Sequence, residues 1–328
     1  LTKEEKNYLA HYCPYLDPTY LDFLQGYSFD PSEVQISQEG SEISVTVEGF
    51  WYRTILWEVP LMALISELFY KASHLIRLND EAIKNLTKEK IENYNKLGVS
   101  VLEFGTRRRH SYEVHDLVNK TLNTYGGQSF IGTSNVHFAM VNNKRPLGTH
   151  AHEWFMFHAA QYGFQVANFI SLENWTKVYG GDLGIALTDT YTTEIFFNQF
   201  DKKYSKLFDG VRHDSGDPIE FAQKVIAHYT KMGIDPKSKV IVFSDSLNYD
   251  KVKKIVDFCQ DKIKMSFGIG TNFTNDVGLP AMNMVIKLTD TKPDNIHWQG
   301  VVKLSDEKNK NTGTPEMIAL AKQVLGIK

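Results

Sequence analysis

An α/β fold with a smaller α+β domain packed against it is predicted by three features of this 328-residue sequence. Short apolar runs recur from about residue 100 onward, and each run ends in a cluster of small or polar residues. Amphipathic stretches, such as 218–232 and 249–259, separate most of these runs. The first hundred residues have a different pattern. Strands that alternate with helices at this spacing predict a parallel sheet, here in an irregular (β/α) barrel-like domain.

The region 1–99 predicts the smaller α+β domain. Residues 2–24 indicate two short helices separated by a proline-containing turn. Residues 34–59 alternate apolar and polar side chains, as in EISVTVEGFWYRTILWEV, which is typical of antiparallel strands with one wet face. Two further helices are expected over 61–79 and 86–97.

Eight strand-like runs predict the catalytic domain over 100–290. The runs are VLEFGT, SFIGTSNV, KRPLGTHAHEW, LGIALTDT, FDGVRHDSGDP, KVIVFSDS, MSFGIGTN and MNMVIKLTD. In (β/α) barrels the loops after the strands build the active site, so the polar clusters that end these runs hold the candidate functional residues. The segment 291–328 completes the fold with a polar loop, DEKNKNTGT, and a helix over 315–325.

Composition excludes several classes of function. The net charge is −3 and the only compact basic block is Arg107 to Arg109, which gives no support for binding nucleic acid or an anionic membrane. The two cysteines lie far apart in sequence, which is typical of a reducing compartment rather than of a disulfide or zinc scaffold. No apolar run approaches the ~20 residues that span a bilayer, and the N-terminus lacks a signal-peptide layout. We therefore expect a cytoplasmic enzyme.

The segment GTHAHEW offers a candidate catalytic histidine. If it is a strand, His150 and His152 share one face, because the side-chain period of a strand is two. The pair could bind a metal, or His152 could be a nucleophilic or acid–base imidazole beside a satisfied neighbour. Zinc or iron needs further ligands, and the sequence has no second His-x-His and no HExxH motif.

The other strand-end clusters carry charges and glycines that suit a phosphorylated sugar. One or two arginines of FGTRRRH could bind a phosphate or carboxylate, although a solvated basic turn fits equally well. In VRHDSGDP, Asp214 could hold a magnesium-bound sugar phosphate or accept ribose hydroxyls, whereas Asp217 suits a helix N-cap. Gly268 and Gly270 could form an anion-binding nest. Further polar candidates in these clusters are Arg107, Asp189, Arg212, Asp245 and Thr271.

Seven motifs occur in the order in which type II nicotinate phosphoribosyltransferases carry them, and the chain resembles that family. They are EFGTRRRHSYEVHD, GTSNVHFA, GTHAHEW, ALTDTY, DGVRHDSGDP, FSDSLN and SFGIGTNF. Residues 55–70 and the closing VKLSD resemble the same family. The resemblance covers essentially the whole chain, and GTHAHEW and RHDSGDP are its most specific parts.

The resemblance implies the reaction and the roles of individual residues. Nicotinate and 5-phosphoribosyl-1-pyrophosphate would give nicotinate mononucleotide and pyrophosphate, the first step of NAD salvage from nicotinate. ATP hydrolysis would be coupled through a phosphorylated His152, and Mg²⁺ would be carried by the substrate phosphates rather than by a metal site of the protein. By motif position, His152, Asp189 and Asp214 would be catalytic. The substrate-binding residues would be Phe104 and Ser134 at the pyridine ring, Arg107 at phosphate or carboxylate, Arg212 at the ribose and phosphates, Asp245, and Gly268, Gly270 and Thr271 at the 5′-phosphate.

The resemblance further implies a homodimer with shared active sites. Family members usually begin with a D-x-Y-K type motif, which this sequence does not contain, so the N-terminal domain is expected to lack its first segment. Transfer to nicotinamide or quinolinate is the nearest alternative, and a metal-dependent (β/α) barrel hydrolase is a second. An acidic residue in the GTSN loop would favour nicotinamide, because it could accept hydrogen bonds from the amide. The loop contains no acidic residue, which favours the carboxylate of nicotinate.

Overall fold

The N-terminal hundred residues form helices and one hairpin in the computed structural model, which describes residues 1–307 and 310–327. Thr2 and Asp17 cap the first two helices, because each side chain accepts a hydrogen bond from a backbone N–H group of the first turn. The elements are α1 (Lys3–Tyr12), α2 (Pro18–Gly26), β1 (Val34–Glu39), β2 (Glu42–Val47), α3 (Trp51–Thr54), α4 (Glu58–Ser73) and α5 (Asp80–Leu97), with a 3-10 turn at Pro31–Glu33.

The alternating segment 34–59 forms the predicted strands only in its first half. Strands β1 and β2 pair antiparallel, with Val34 opposite Val47. The prediction is wrong after residue 50, where α3 and the start of α4 replace a strand. The indole of Trp51 stacks on Phe157 with ring centroids 4.2 Å apart, and its N–H group donates to Glu153. Packing against the rest of the chain therefore overrides the alternation. Four helices occur in this region as predicted, but the one expected over 61–79 ends at Ser73 and the one expected over 86–97 begins at Asp80.

Most of the remaining strands are separated by helices, as predicted, although three helices lie between the second and third of these strands and two between the third and fourth. Helix α12 begins at Pro218, where Asp217 caps it by accepting from two backbone N–H groups, so the N-cap prediction for Asp217 is confirmed. The elements up to residue 274 are β3 (Ser100–Glu103), α6 (Tyr112–Tyr125), β4 (Phe130–Thr133), α7 (Val136–Val141), α8 (His152–Tyr162), α9 (Ala167–Tyr179), β5 (Ile185–Leu187), α10 (Thr193–Gln199), α11 (Lys202–Leu207), β6 (Gly210–His213), α12 (Pro218–Lys231), β7 (Val240–Phe243), α13 (Tyr249–Cys259), β8 (Lys264–Ile269) and α14 (Thr271–Thr274), with 3-10 turns at Thr106–Arg108, Phe164–Val166 and Pro236–Ser238.

The C-terminal segment packs back onto the sheet. Its elements are β9 (Asp290–Thr291), β10 (Gln299–Gly300) and α15 (Pro315–Leu325). The predicted bounds of the last helix are confirmed, whereas the predicted loop DEKNKNTGT lies partly outside the described residues. Among the helices that the structure describes, none combines the length and the apolar character needed to cross a membrane.

Six parallel strands form the central sheet, in the order β4–β3–β8–β7–β6–β5. Their apolar side chains are buried, as in Val101, Val211 and Ile241, which is typical of a parallel sheet covered by helices. Strands β6 and β7 approach closely at Gly210, where a Cβ atom would lie 1.9 Å from the carbonyl oxygen of Val240. The predicted α/β class with a parallel sheet and a smaller region beside it is confirmed.

The prediction of eight strands is wrong, because two of the eight runs do not join the sheet. Residues 144–154 include Pro146, which has no N–H group for a strand ladder, and α8 begins at His152. Residues 282–290 reach a strand only at Asp290, which belongs to the small β9–β10 hairpin. Because β4 and β5 are the two edges and do not pair, the described sheet stays open where a regular barrel would close.

Candidate active site

Polar side chains gather at the carboxyl edge of the parallel sheet. All six strands point the same way, so the residues that end or follow them meet at one edge. The predicted site residues found there are Phe104 and Arg107 at β3, Ser134 at β4, Asp189 at β5, Arg212 and Asp214 at β6, Asp245 at β7, and Gly268, Gly270 and Thr271 at β8. His152 alone comes from a segment outside the sheet.

His152 is the first residue of α8 and contacts a hydroxyl group and two carboxylates. Its Nδ1 lies 3.1 Å from Thr190 Oγ1, and its Nε2 lies 3.0 Å from Asp214 Oδ2. The same Nε2 is 3.5 Å from Asp189 Oδ1. Two carboxylates at Nε2 favour the tautomer with its proton there, which leaves the lone pair on Nδ1. A partly exposed imidazole held in this way suits nucleophilic or acid–base chemistry.

Arg212 fixes the position of the His152 segment. Its Nε–H donates to Ser244 Oγ at 2.8 Å, and its Nη1 donates to Thr149 Oγ1 at 2.6 Å and to the carbonyl oxygen of His150 at 3.0 Å. Its Nη2 donates to Asp214. One planar guanidinium therefore joins the loop after β7, the segment before α8 and the carboxylate that contacts His152.

The charge of Arg212 also sets the ionisation of Asp214. Burial by itself would raise the pKa of this carboxyl group. The Arg212 guanidinium, the hydrogen bond from His152 and the charge of Lys303 outweigh burial and hold the pKa well below its usual range. Asp214 is therefore a carboxylate at neutral pH.

Asp189 is almost fully buried, and the C-terminal segment supplies its cation. Its Oδ2 accepts a hydrogen bond from Ser215 Oγ at 2.6 Å and lies 3.5 Å from Nζ of the buried Lys303. Backbone contacts hold that segment in place: Leu304 N–H donates to Thr190 O at 2.8 Å. Lys303 was not predicted as a site residue. Its only signal in the sequence is its place in the VKLSD motif.

The side chains of His152, Asp189 and Asp214 lie close enough together to be considered as a metal site. His152, Asp189 and Asp214 can offer three ligand atoms within 4.8 Å of one another. However, Lys303 and Arg212 already lie against the two carboxylates, so cations of the chain balance their charges. This donor set is a poor fit for a resident divalent ion.

His150 is a core residue, and the prediction that it shares a strand face with His152 is wrong. The segment is not a strand, and His150 is 2% exposed. Its ring meets that of Trp175 edge-on with centroids 4.1 Å apart. Burial, with a contribution from the charge of Arg212, lowers the pKa of His150 to about 3, so the ring is neutral at physiological pH. The interpretation of the two histidines as a metal pair therefore fails.

Phe104 and Gly268 pack directly against each other. Phe104 N–H donates to the carbonyl oxygen of Ile269 at 2.8 Å, which fixes the residue at the end of β3. A Cβ atom on Gly268 would lie 2.5 Å from Phe104 Cδ2, so the missing side chain leaves room for the aromatic ring. Gly270 and Thr271 open the single turn α14 beside this pair. The structure thus brings an aromatic platform and the glycine-rich strand end together.

Arg107 and Asp245 lie toward the periphery of the site. Arg107 Nη1 forms an ion pair with Glu58 of α4 at 2.8 Å, and its side chain is half exposed. Asp245 lies 3.9 Å from Nζ of Lys310. The consecutive arginines point in different directions, since Arg109 lies 3.8 Å from Glu67 whereas Arg107 pairs with Glu58.

A cavity of about 370 Å³ lies between α8, the turn after it and α15. Its lining, which includes Met156, Phe164 and Leu320, contains none of the predicted site residues. The candidate functional residues therefore lie at the sheet edge, apart from this cavity.

Comparison with known proteins gives concordant matches over the whole chain. The model of the nicotinate phosphoribosyltransferase (NAPRTase) family matches residues 99–328, and the model of the NAPRTase N-terminal domain matches residues 1–66. The nicotinate phosphoribosyltransferase of Chromohalobacter salexigens is 59% identical over 327 residues, covering 100% of this chain and 84% of that protein. That of Desulforapulum autotrophicum is 50% identical over 329 residues, covering 99% of this chain and 84% of that protein.

Two solved structures share the fold over the full length of this chain. The nicotinate phosphoribosyltransferase of Porphyromonas gingivalis gives a TM-score of 0.97 at 45% identity, covering 100% of this chain and 85% of that chain. The nicotinate phosphoribosyltransferase of Vibrio cholerae gives a TM-score of 0.92 at 33% identity, covering 100% and 80% respectively.

Replacing His150 by Phe should remove part of the acid sensitivity of the fold. The pKa of His150 is lowered from 6.5 to about 3, so between these values the unfolded chain binds a proton that the folded chain does not. Wild-type stability should therefore fall by about 1.4 kcal/mol per pH unit as the pH drops below 6.5. Urea unfolding at pH 7 and pH 5 should show a shallower loss for His150→Phe than for the wild type or for the exposed-site control His11→Phe. Equal losses in all three proteins would contradict this assignment.

Replacing Lys303 by Met should destabilise the protein, because the buried carboxylate of Asp189 would lose its cation. Breaking a buried ion pair from one side costs about 3 kcal/mol. Urea unfolding at pH 7 measures this loss, and the exposed Lys237→Met serves as the matched control. A difference from the wild type as small as that of the control would show that Asp189 does not depend on Lys303.

Proposed function

The chain belongs to the nicotinate phosphoribosyltransferase family, and we propose that it joins nicotinate to 5-phosphoribosyl-1-pyrophosphate, releasing nicotinate mononucleotide and pyrophosphate. The observation that carries this proposal is the composition of the sheet edge. A histidine contacts two carboxylates there, and Arg212 and Lys303 balance their charge. An aromatic platform on a glycine-lined strand end belongs to the same edge.

The transfer needs positioning and charge stabilisation more than a strong protein nucleophile. The bond from ribose C1 to pyrophosphate breaks, the leaving group takes the electron pair, and the pyridine nitrogen forms the new bond. Phe104 would stack on the pyridine ring with Ser134 beside it. The ionised Asp214 and its neighbour Asp189 would accept ribose hydroxyls and stabilise the positive charge that develops on the sugar. Arg212 and the strand end at Gly268, Gly270 and Thr271 would contact the phosphates, with Arg107 at the rim, and Asp245 would be a further substrate-binding residue.

We infer that His152 is the residue that couples ATP hydrolysis to this transfer. A ring nitrogen of His152 would form a bond to the γ-phosphorus as the bond to ADP breaks, and water would later take the phosphoryl group. The contacts of the ring with Asp189 and Asp214 support the proposal, because carboxylates orient an imidazole and make it a better nucleophile. A phosphoryl group on His152 would place negative charge beside the pyrophosphate site.

Mg²⁺ is proposed to enter with the substrates. The carboxylates that could bind it already contact Arg212 and Lys303, which supports an ion bound to substrate phosphates rather than one held by the protein. When bound, Mg²⁺ would neutralise phosphate charge.

A homodimer is proposed from the exposed face of α4. Leu64 and Leu68 lie one turn apart on this helix and are 53% and 60% exposed, and Ile76 just beyond it is 92% exposed. A row of exposed apolar residues of this kind is typical of a protein interface. Glu58 at the start of α4 pairs with Arg107, so this face is connected to the active-site loops. A cytoplasmic location is also proposed, and the two buried, unpaired cysteines support it.

The reaction is tested by measuring pyrophosphate release from nicotinate and 5-phosphoribosyl-1-pyrophosphate, with and without ATP. The wild type should be active and stimulated by ATP, and His152→Ala should lose the stimulation because it lacks the phosphoryl acceptor. The exposed-site variant His11→Ala serves as the control. Stimulation that persists in His152→Ala would refute the role of His152 but not the transfer reaction. A higher kcat/KM for nicotinamide or quinolinate would overturn the choice of nicotinate.

Replacing Leu68 by Glu should dissociate the proposed dimer, because a charge would enter its apolar face. Sedimentation velocity of the wild type should give twice the mass of one chain, and Leu68→Glu should shift the protein toward one chain. Leu320→Glu, at an exposed leucine of α15, serves as the control. A wild type that sediments as one chain would exclude the dimer.

A further inference from the structure

A buried carboxylate is hydrogen-bonded to the neighbours of the two proposed ring-binding residues and has no part in the chemistry described above. Glu103 is the last residue of β3 and is 0% exposed. It immediately precedes Phe104. A fully buried acid is rare unless hydrogen bonds and charges compensate for its burial, so its neighbours indicate what it does.

Three groups from separate parts of the chain donate to the Glu103 carboxylate. His115 of α6 donates through Nε2 at 2.8 Å, Thr133 at the end of β4 donates through Oγ1 at 2.5 Å, and Gly105 donates its backbone N–H. Burial alone would raise the pKa of this carboxyl group. The charge and hydrogen bond of His115, together with the other two donors, lower the pKa, so the group is a carboxylate.

These bonds connect the two loops that carry the ring-binding candidates. The bond to Gly105 fixes the backbone just after Phe104, and the bond to Thr133 fixes the residue just before Ser134. The main chain of Glu103 adds a further tie, because its carbonyl oxygen accepts from Ser134 N–H at 2.8 Å.

A second layer of bonds stiffens the same connection. Thr133 Oγ1 also accepts from Asn135 N–H at 3.0 Å, and Asn135 Nδ2 donates to Thr106 Oγ1 at 3.3 Å. The loops after β3 and β4 are thus joined at two places, through Glu103 and through Asn135. Displacing one of them would move Phe104 relative to Ser134.

We infer that Glu103 is a positioning residue for the pyridine substrate: through Gly105 and Thr133 it holds Phe104 and Ser134 at the separation that the ring requires. The inference rests on the proposed function, because that function assigns Phe104 and Ser134 to the ring. Glu103 does not touch substrate, so its loss should weaken nicotinate binding more than it slows the bond-making step. The ribosyl donor should be little affected, since its proposed ligands at β6 and β8 make no hydrogen bond to the Glu103 side chain within the described residues.

The test compares KM for nicotinate, KM for 5-phosphoribosyl-1-pyrophosphate and kcat in Thr133→Val and Glu103→Gln. Loss of a hydrogen bond to a charged group should raise KM for nicotinate roughly 10-fold in each variant. KM for the ribosyl donor and kcat should change less than about 3-fold. Because both variants break one connection, the double variant should be little worse than either single variant.

Two matched variants separate positioning from general damage. Thr133→Ser keeps the hydroxyl and should retain wild-type kinetics. Thr121→Val makes the same change at a buried threonine whose hydroxyl bonds within α6, and it should leave KM for nicotinate unchanged. If thermal unfolding shows that Glu103→Gln does not fold, the three threonine variants test the positioning role without it.

The outcomes distinguish the inference from the proposed function. If the wild type makes nicotinate mononucleotide but Thr133→Val keeps the wild-type KM for nicotinate, the positioning role is wrong and the function stands. A parallel rise in both KM values would also overturn it, because it would indicate general disturbance of the site. If the wild type does not use nicotinate, the proposed function fails and the inference fails with it.

Discussion

The arrangement of the candidate active site depends on the partly buried guanidinium of Arg212. It donates to Ser244, to Thr149, to the carbonyl oxygen of His150 and to Asp214, and so joins two strand ends to a segment that has no strand of its own. Together with the contact between His152 and Asp214, this connection fixes the start of α8 relative to β6. The positive charge of Arg212 also lowers the pKa of Asp214. One side chain therefore both positions the segment before α8 and keeps Asp214 ionised.

Cations of the chain compensate the two carboxylates that contact His152. Asp189 and Asp214 both contact Nε2 of His152. Arg212 forms an ion pair with Asp214, and Lys303 forms one with Asp189. The two carboxylates orient the imidazole through its Nε2 atom, and Arg212 and Lys303 compensate their charges. Lys303 belongs to the C-terminal segment. The packing of this segment against the sheet therefore supplies one of the two cations of the site.

Much of the fold could be predicted because its signals are local. Helices such as α12 and α15 begin at prolines preceded by capping residues, and the parallel strands are short apolar runs that end in polar clusters. The failures occurred where distant contacts decide. Residues 50–59 alternate like a strand but become helical when Trp51 packs on Phe157, and residues 144–154 contain a proline that keeps them out of the sheet.

The sequence by itself determined the family, the parallel α/β class and the strand-end positions of most candidate residues, because these follow from motifs and from the shared direction of parallel strands. Only the tertiary structure decided which candidates act together. His150 and His152 are equivalent in a His-x-His motif, yet one lies in an aromatic core and the other meets Asp189 and Asp214. The proposed roles of Lys303 and Glu103 also depend on tertiary contacts, with Asp189 and with Thr133 respectively. A buried charge is defined by the partners around it, and those partners come from segments far apart in the chain.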